Sequence, residues 1–111
     1  MPVLVKALIE TKYVENAQFT QYTAVASRVI VDAMTLTNNS GADATVSVHI
    51  VPNGNAAGAV NRVVNQRTLA SGESYTCPEI RGHVLDPGDF ISTLATVASA
   101  VTIRATGREI T

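Results

Sequence analysis

Few side chains in this sequence could carry chemistry: two histidines (His49, His83), one cysteine (Cys77), and an acid pair, Asp86 and Asp89, bracketing Pro87 and Gly88. Each implies a definite chemistry. A histidine within reach of an acid and a hydroxyl can activate a nucleophile. Histidines and carboxylates at short spacing can hold a transition metal, and aspartates grouped on one loop can begin a calcium site. The spacing supports none of these. His49 and His83 lie far apart, neither has an acid at motif distance, and there is no Gly-x-Ser-x-Gly elbow. Calcium takes roughly six to eight oxygens, and no Asp-rich loop supplies them, so Asp86 and Asp89 read as turn residues. Cys77 reads as a small buried apolar residue and has no second cysteine to pair with. Asn38-Asn39-Ser40 matches the glycosylation acceptor pattern; the opening residues do not read as a secretory signal, so a turn is expected there instead. We therefore assign no catalytic, cofactor-binding or metal-binding residue from the sequence. Tryptophan is absent and the aromatics are Phe19, Phe90, Tyr13, Tyr22 and Tyr75. A carbohydrate platform would need about three of these exposed on one face.

The elements that would position these residues are strands. The apolar pattern has period two and is broken every ten or so residues by Gly, Asn, Asp or Pro, the pattern of a sandwich or barrel. The clearest strand is Ala44 to Pro52, with Val46, Val48 and Ile50 toward a core and Thr45, Ser47 and His49 on a face that is exposed or at an interface. The Asn38 to Asp43 segment predicts a hairpin between it and a strand from about Val29 to Thr37. In that earlier strand Ile30, Met34 and Leu36 share a face with Asp32, a conflict resolved by a bulge or by Asp32 lying beyond the buried zone. Phe90 to Val97 alternates again, followed by Val101, Ile103 and Ala105, and reads as a second hairpin. Leu69-Ala70-Ser71-Gly72-Glu73 and Leu85-Asp86-Pro87-Gly88-Asp89 both place Leu three residues before Gly and an acid after it, the second suiting a type II turn. A strand is expected over Arg62 to Leu69, with a turn or two of helix from Val60 to Arg67 as the alternative. Further strands are expected from Val3 to Ile9 and from Gln18 to Ala26. The sum is an all-β chain: one antiparallel β-sandwich domain over 1–111, jelly-roll or immunoglobulin-like, of about eight strands, with 1–27 forming an extended N-terminal arm plus the first strands.

Composition narrows the function classes. Apolar residues make up 46% of the chain and charged residues 15%, against about 25% charged in a typical domain, so a folded chain is expected. The same shortage of charge leaves much of the surface to Ala, Thr, Ser, Asn and Val, which suits a subunit packed among neighbours. The net charge is −1 and the basic residues are scattered, so no nucleic-acid partner is expected. Nor is a membrane partner, since no apolar run approaches the roughly 20 residues of a spanning helix.

The order of several segments resembles the small β-sandwich virion proteins of tailed bacteriophages. These are Leu36 to Gly41, Thr45 to Gly54, Leu69 to Glu73, Gly82 to Asp89 and Val101 to Gly107, so the resemblance spans roughly residues 28–110. It implies a non-enzymatic structural protein of the virion, assembled in the host cytoplasm. The first expectation is a capsid decoration or minor capsid protein that binds the major capsid protein from outside and forms a homo-oligomer, commonly a trimer. A tail, baseplate or fibre component is the alternative within that family, and a receptor- or glycan-binding module the alternative of another class. No functional residue is carried over, and the segment before Arg28 has no counterpart. Extended segments such as Met1 to Tyr13 could add a strand to a neighbour.

Overall fold

The computed structural model describes residues 3–110. Among the described residues nine strands form: β1 (Val3–Tyr13), β2 (Phe19–Thr23), β3 (Arg28–Asn38), β4 (Ala44–Val51), β5 (Arg62–Leu69), β6 (Ser74–Tyr75), β7 (Val84–Leu85), β8 (Phe90–Ala95) and β9 (Val101–Ile110). A single turn of 3₁₀ helix, Ala59–Asn61, precedes β5, so the strand expected from Arg62 forms and the helical alternative shrinks to that turn. The expected N-terminal arm is itself sheet: β1 pairs along β9, and Met1 and Pro2 lie outside the described residues.

The strands make two antiparallel sheets. Sheet A has the order β1-β9-β3-β6, with β7 also on β3, and sheet B the order β2-β8-β4-β5. The pairing follows from one long hairpin rolled up. Outer strands pair with outer strands, β1 with β9 and β2 with β8, while β3 pairs with β6 and β7, and β4 with β5 at the tip. Rolling this ribbon adds β3 beside β9 and β4 beside β8. The result is a jelly-roll sandwich, which selects one of the two architectures expected.

Rolling also corrects both hairpins expected from the sequence. β3 lies in sheet A and β4 in sheet B, and likewise β9 and β8 lie in opposite sheets. The turn residues at 38–43 and 96–100 therefore carry the chain between layers. Gly, Asn and Ser bend a backbone equally well into a hairpin or an arch.

Core packing follows the alternation. Val46 and Val48 from β4, Ile91 and Ala95 from β8, and Val101, Ile103 and Ala105 from β9 are buried between the sheets. In β3 the register shifts between Val31 and Ala33. That is a bulge at Asp32, which changes which residues face inward. Val29 and Val31 are buried before it, Met34 and Leu36 after it, and Ile30 turns outward, contrary to the expected face. Gly107 lies opposite the bulge, where a Cβ would run into the Ile30 carbonyl oxygen and Leu8 Cδ1.

The two look-alike turns share a construction. Gly72 and Gly88 have φ of +80° and +96°. Glu73 N donates to Ala70 O and Asp89 N to Asp86 O, each at 2.9 Å. In each turn the trailing carboxylate accepts the N–H of the first turn residue, Ala70 or Asp86. Leu69 and Leu85 anchor both turns in the core.

Candidate assembly surface

The margins of sheet A differ. Along β3, the outer main-chain groups are taken by β6 at Leu36 and Thr37 and by β7 at Val29 and Ile30. Between them Val31 N donates to His83 O at 2.9 Å and Gly82 N to Val31 O at 2.7 Å. Short strands and the 76–83 loop thus cover much of β3 and leave only two-residue edges on that side. The other margin is β1, which has β9 on one side only. Its first five residues run in unbroken register, Val3 opposite Ile110 through Ala7 opposite Thr106, before shifts interrupt the rest of the strand. Along this stretch Val3, Leu4 and Val5 are 54%, 57% and 72% exposed.

The sheet registers extend this apolar margin across the outer face. Val5 lies opposite Arg108, Arg108 opposite Ile30, and Ile30 opposite Val84; the next row runs Val3, Ile110, Arg28. Val84 is also exposed, and Ile30 and Ile110 are half-buried. The charges in these rows are paired. Asp32 takes the Arg108 guanidinium, with Nη2 at 2.9 Å and Nε at 3.1 Å, and Asp86 accepts from Arg28 Nε at 2.9 Å. These rows set apolar side chains and two paired charges beside a free strand edge.

The residues singled out for chemistry are spread over unrelated structural tasks. Asp86 serves Arg28, while Asp89 Oδ1 accepts the Asn53 N–H at 2.9 Å. The pair therefore shares a turn and no common ligand. His83 is exposed on the 76–83 loop. Cys77 is buried in the same loop, and burial, with the Glu79 carboxylate next, pushes its thiol pKa up to about 12. Among the described residues no group of three or more His, Cys, Asp or Glu is placed to hold a metal ion. Tyr13 and Phe19 are exposed, on β1 and β2, and Lys12 Nζ sits 4.7 Å from the Phe19 ring centre.

Two sites have greater structural roles than the sequence indicated. Asn38 is fully buried; its Nδ2 donates to Ala42 O and Leu69 O at 2.8 Å, and its Oδ1 accepts Ser40 N and Oγ. Both ends of the amide are used, which removes Asn38 as a sugar acceptor. Ser47 and His49, expected on an exposed or interface face, are buried. Ser47 Oγ accepts the N–H of Gln66, which sits at φ +47° in edge strand β5. His49 Nε2 accepts from Arg62 Nε at 3.4 Å, and the Gln18 amide lies 3.4 Å from Nδ1 while donating to Ser92 Oγ at 2.7 Å. Burial first, and Arg62 second, hold the His49 pKa below its ordinary value. The sequence carried no signal for this, since His49 is covered only because β4 is a central strand over which Gln18 and Arg62 reach.

No protein-family description matches the chain, and no curated protein does. Among solved structures, a chain from Bacillus endospore appendages, which form a family of disulfide-linked pili, superposes with a TM-score of 0.59 over 98% of this chain and 88% of that one, at 13% identity. The likeness is one of fold.

Proposed function

We propose that this chain is a structural subunit that works without turnover, by joining a particle of many subunits, with the outer shell of a tailed-phage capsid as its setting. The observation that carries the reading is the β1 margin: five residues of free strand that include exposed Val3, Leu4 and Val5, on a sheet whose opposite margin offers only two-residue strands and a loop. An open, regular, apolar edge is an aggregation hazard for a lone domain and a docking element for a subunit. The jelly roll, an architecture that capsid domains use, supports the same reading, as does the resemblance over residues 28–110. Cys77 is buried and its thiol pKa is raised to about 12, so it is poorly placed for a disulfide joint, and many weak contacts would hold through multivalency.

The test is co-sedimentation of purified protein with capsids that lack it. Saturable binding to shells is expected, unchanged by reductant. Binding only to tails, or to neither, would remove the capsid reading.

A filament subunit is the second reading, favoured by the likeness to the pilus chain. That family is disulfide-linked, whereas the buried Cys77 offers no such link. Regular filaments of the purified protein under the electron microscope, with no binding to shells, would replace the first reading by this one.

A further inference from the structure

We propose that two copies of this chain pair through β1, antiparallel and about a two-fold axis at Val5, so that sheet A runs on from one copy into the next. The inference rests on the subunit reading above and names its first partner. Beyond the two-residue strands β6 and β7 at the far margin of sheet A, three longer edges are open to a second copy: β1 in sheet A, and β2 and β5 in sheet B. Edge β5 carries Arg62 and Arg67, and its register is broken between Val46 and Val48 and again between Val48 and His49 of β4. Set against β1, with Lys6 and Lys12 outnumbering Glu10, it would bring like charges together. Edge β2 is uncharged, but a register shift between Thr20 and Tyr22 cuts it into short pieces. The stretch Val3 to Ala7 is the long regular run. Its single charge, Lys6, is tied to Glu109 at 3.1 Å.

Antiparallel pairing of this stretch with itself satisfies its own pattern. With the axis at Val5, Val5 meets Val5 of the second copy, Leu4 meets Lys6, and Val3 meets Ala7, so no like charges lie directly opposite. The row Val84, Ile30, Arg108, Val5 continues into its mirror sequence on the second copy. The two Arg108 side chains, each held by Asp32, lie three strand spacings apart, about 14 Å, beyond the screening length at ordinary salt. The contact is isologous and closes at two copies. A five-residue edge is smaller than the roughly 1,200–2,000 Å² of a stable interface, so the dimer is expected to form and dissociate in the micromolar to millimolar range.

Sedimentation equilibrium of the whole chain across that range tests this. A monomer–dimer equilibrium is expected, with Val5→Lys raising the dimer dissociation constant at least tenfold; because Val5 is 72% exposed, the variant should keep its unfolding midpoint. Should that variant misfold, Val5→Cys gives a separate reading: under oxidation it should lock as a covalent dimer, while Phe19→Cys and Thr68→Cys, on the other two edges, should not. A monomer at every concentration, a trimer, an oligomer indifferent to Val5→Lys, or cross-linking at Phe19 or Thr68 overturns the pairing. A chain that stays monomeric yet binds shells saturably would lose this inference and keep the subunit reading; a dimer that binds no particle would do the reverse.

Discussion

The Asn38 side chain joins the β3–β4 connection to the end of β5 through Ala42 O, Leu69 O and Ser40. Asn38→Ala would leave these partners without their bonds at a buried corner, at a cost of about 2–3 kcal/mol. Urea unfolding measures it, and an unchanged midpoint would contradict the corner's role. His49 gives a pH dependence. Arg62 can only donate, so neutral His49 accepts at Nε2, and protonation would turn two donors on each other. The groups facing the ring are Arg62 from β5, Ser92 from β8 and Gln18 ahead of β2, with no carboxylate among these contacts to stabilise the cation. With the folded pKa depressed below 6.5, the stability this histidine contributes is present above that value and is lost as the pH falls through it. Thermal melts should show a decline from roughly pH 7 to 5 that His49→Gln flattens; an equal slope in both proteins would exclude His49 as its source. Neither role could be read from residue type, because Asn at a turn and His on a polar strand face look alike whether wet or covered.

At the scale of elements, the strands and their facing were largely legible. Val46 and Val48, Ile91 and Ala95, and Val101, Ile103 and Ala105 point inward as the alternation requires, and the shared Leu-to-Gly-to-acid spacing marked two turns of one construction. The conflict at Asp32 was also visible, and the bulge that resolves it moved Ile30 to the outer face. Which strand lies beside which was not legible, because hairpin and arch share turn chemistry and only the rolled pairing decides. The bulge has a cost on the facing strand. Gly107→Ala would drive a methyl group into the Ile30 carbonyl and Leu8, destabilising by about 1–3 kcal/mol. Calorimetry should show a lowered midpoint, and a tolerated alanine would mean that β9 shifts freely against the bulge.

As a whole the molecule is a slab of 46 × 26 × 19 Å, the thin dimension being that of two sheets with their side chains. A slab of this kind meets other proteins through its faces or along its open edges. Short strands β6 and β7 and the 76–83 loop cover β3, and β1 is left as the long free edge of sheet A, carrying Val3 and Val5. Composition pointed to a surface poor in charge, while the edge itself required the topology, since β1 becomes a margin only once β9 takes its inner side. On the reading proposed above, this edge is where the chain joins a particle. Amide hydrogen exchange over residues 3–7, compared between the free chain and the chain in the assembled particle, tests it most directly. The β1 amides pointing away from β9 should exchange readily in the free chain and become protected in the particle. Equal exchange in the two states, with the chain demonstrably incorporated, would contradict it.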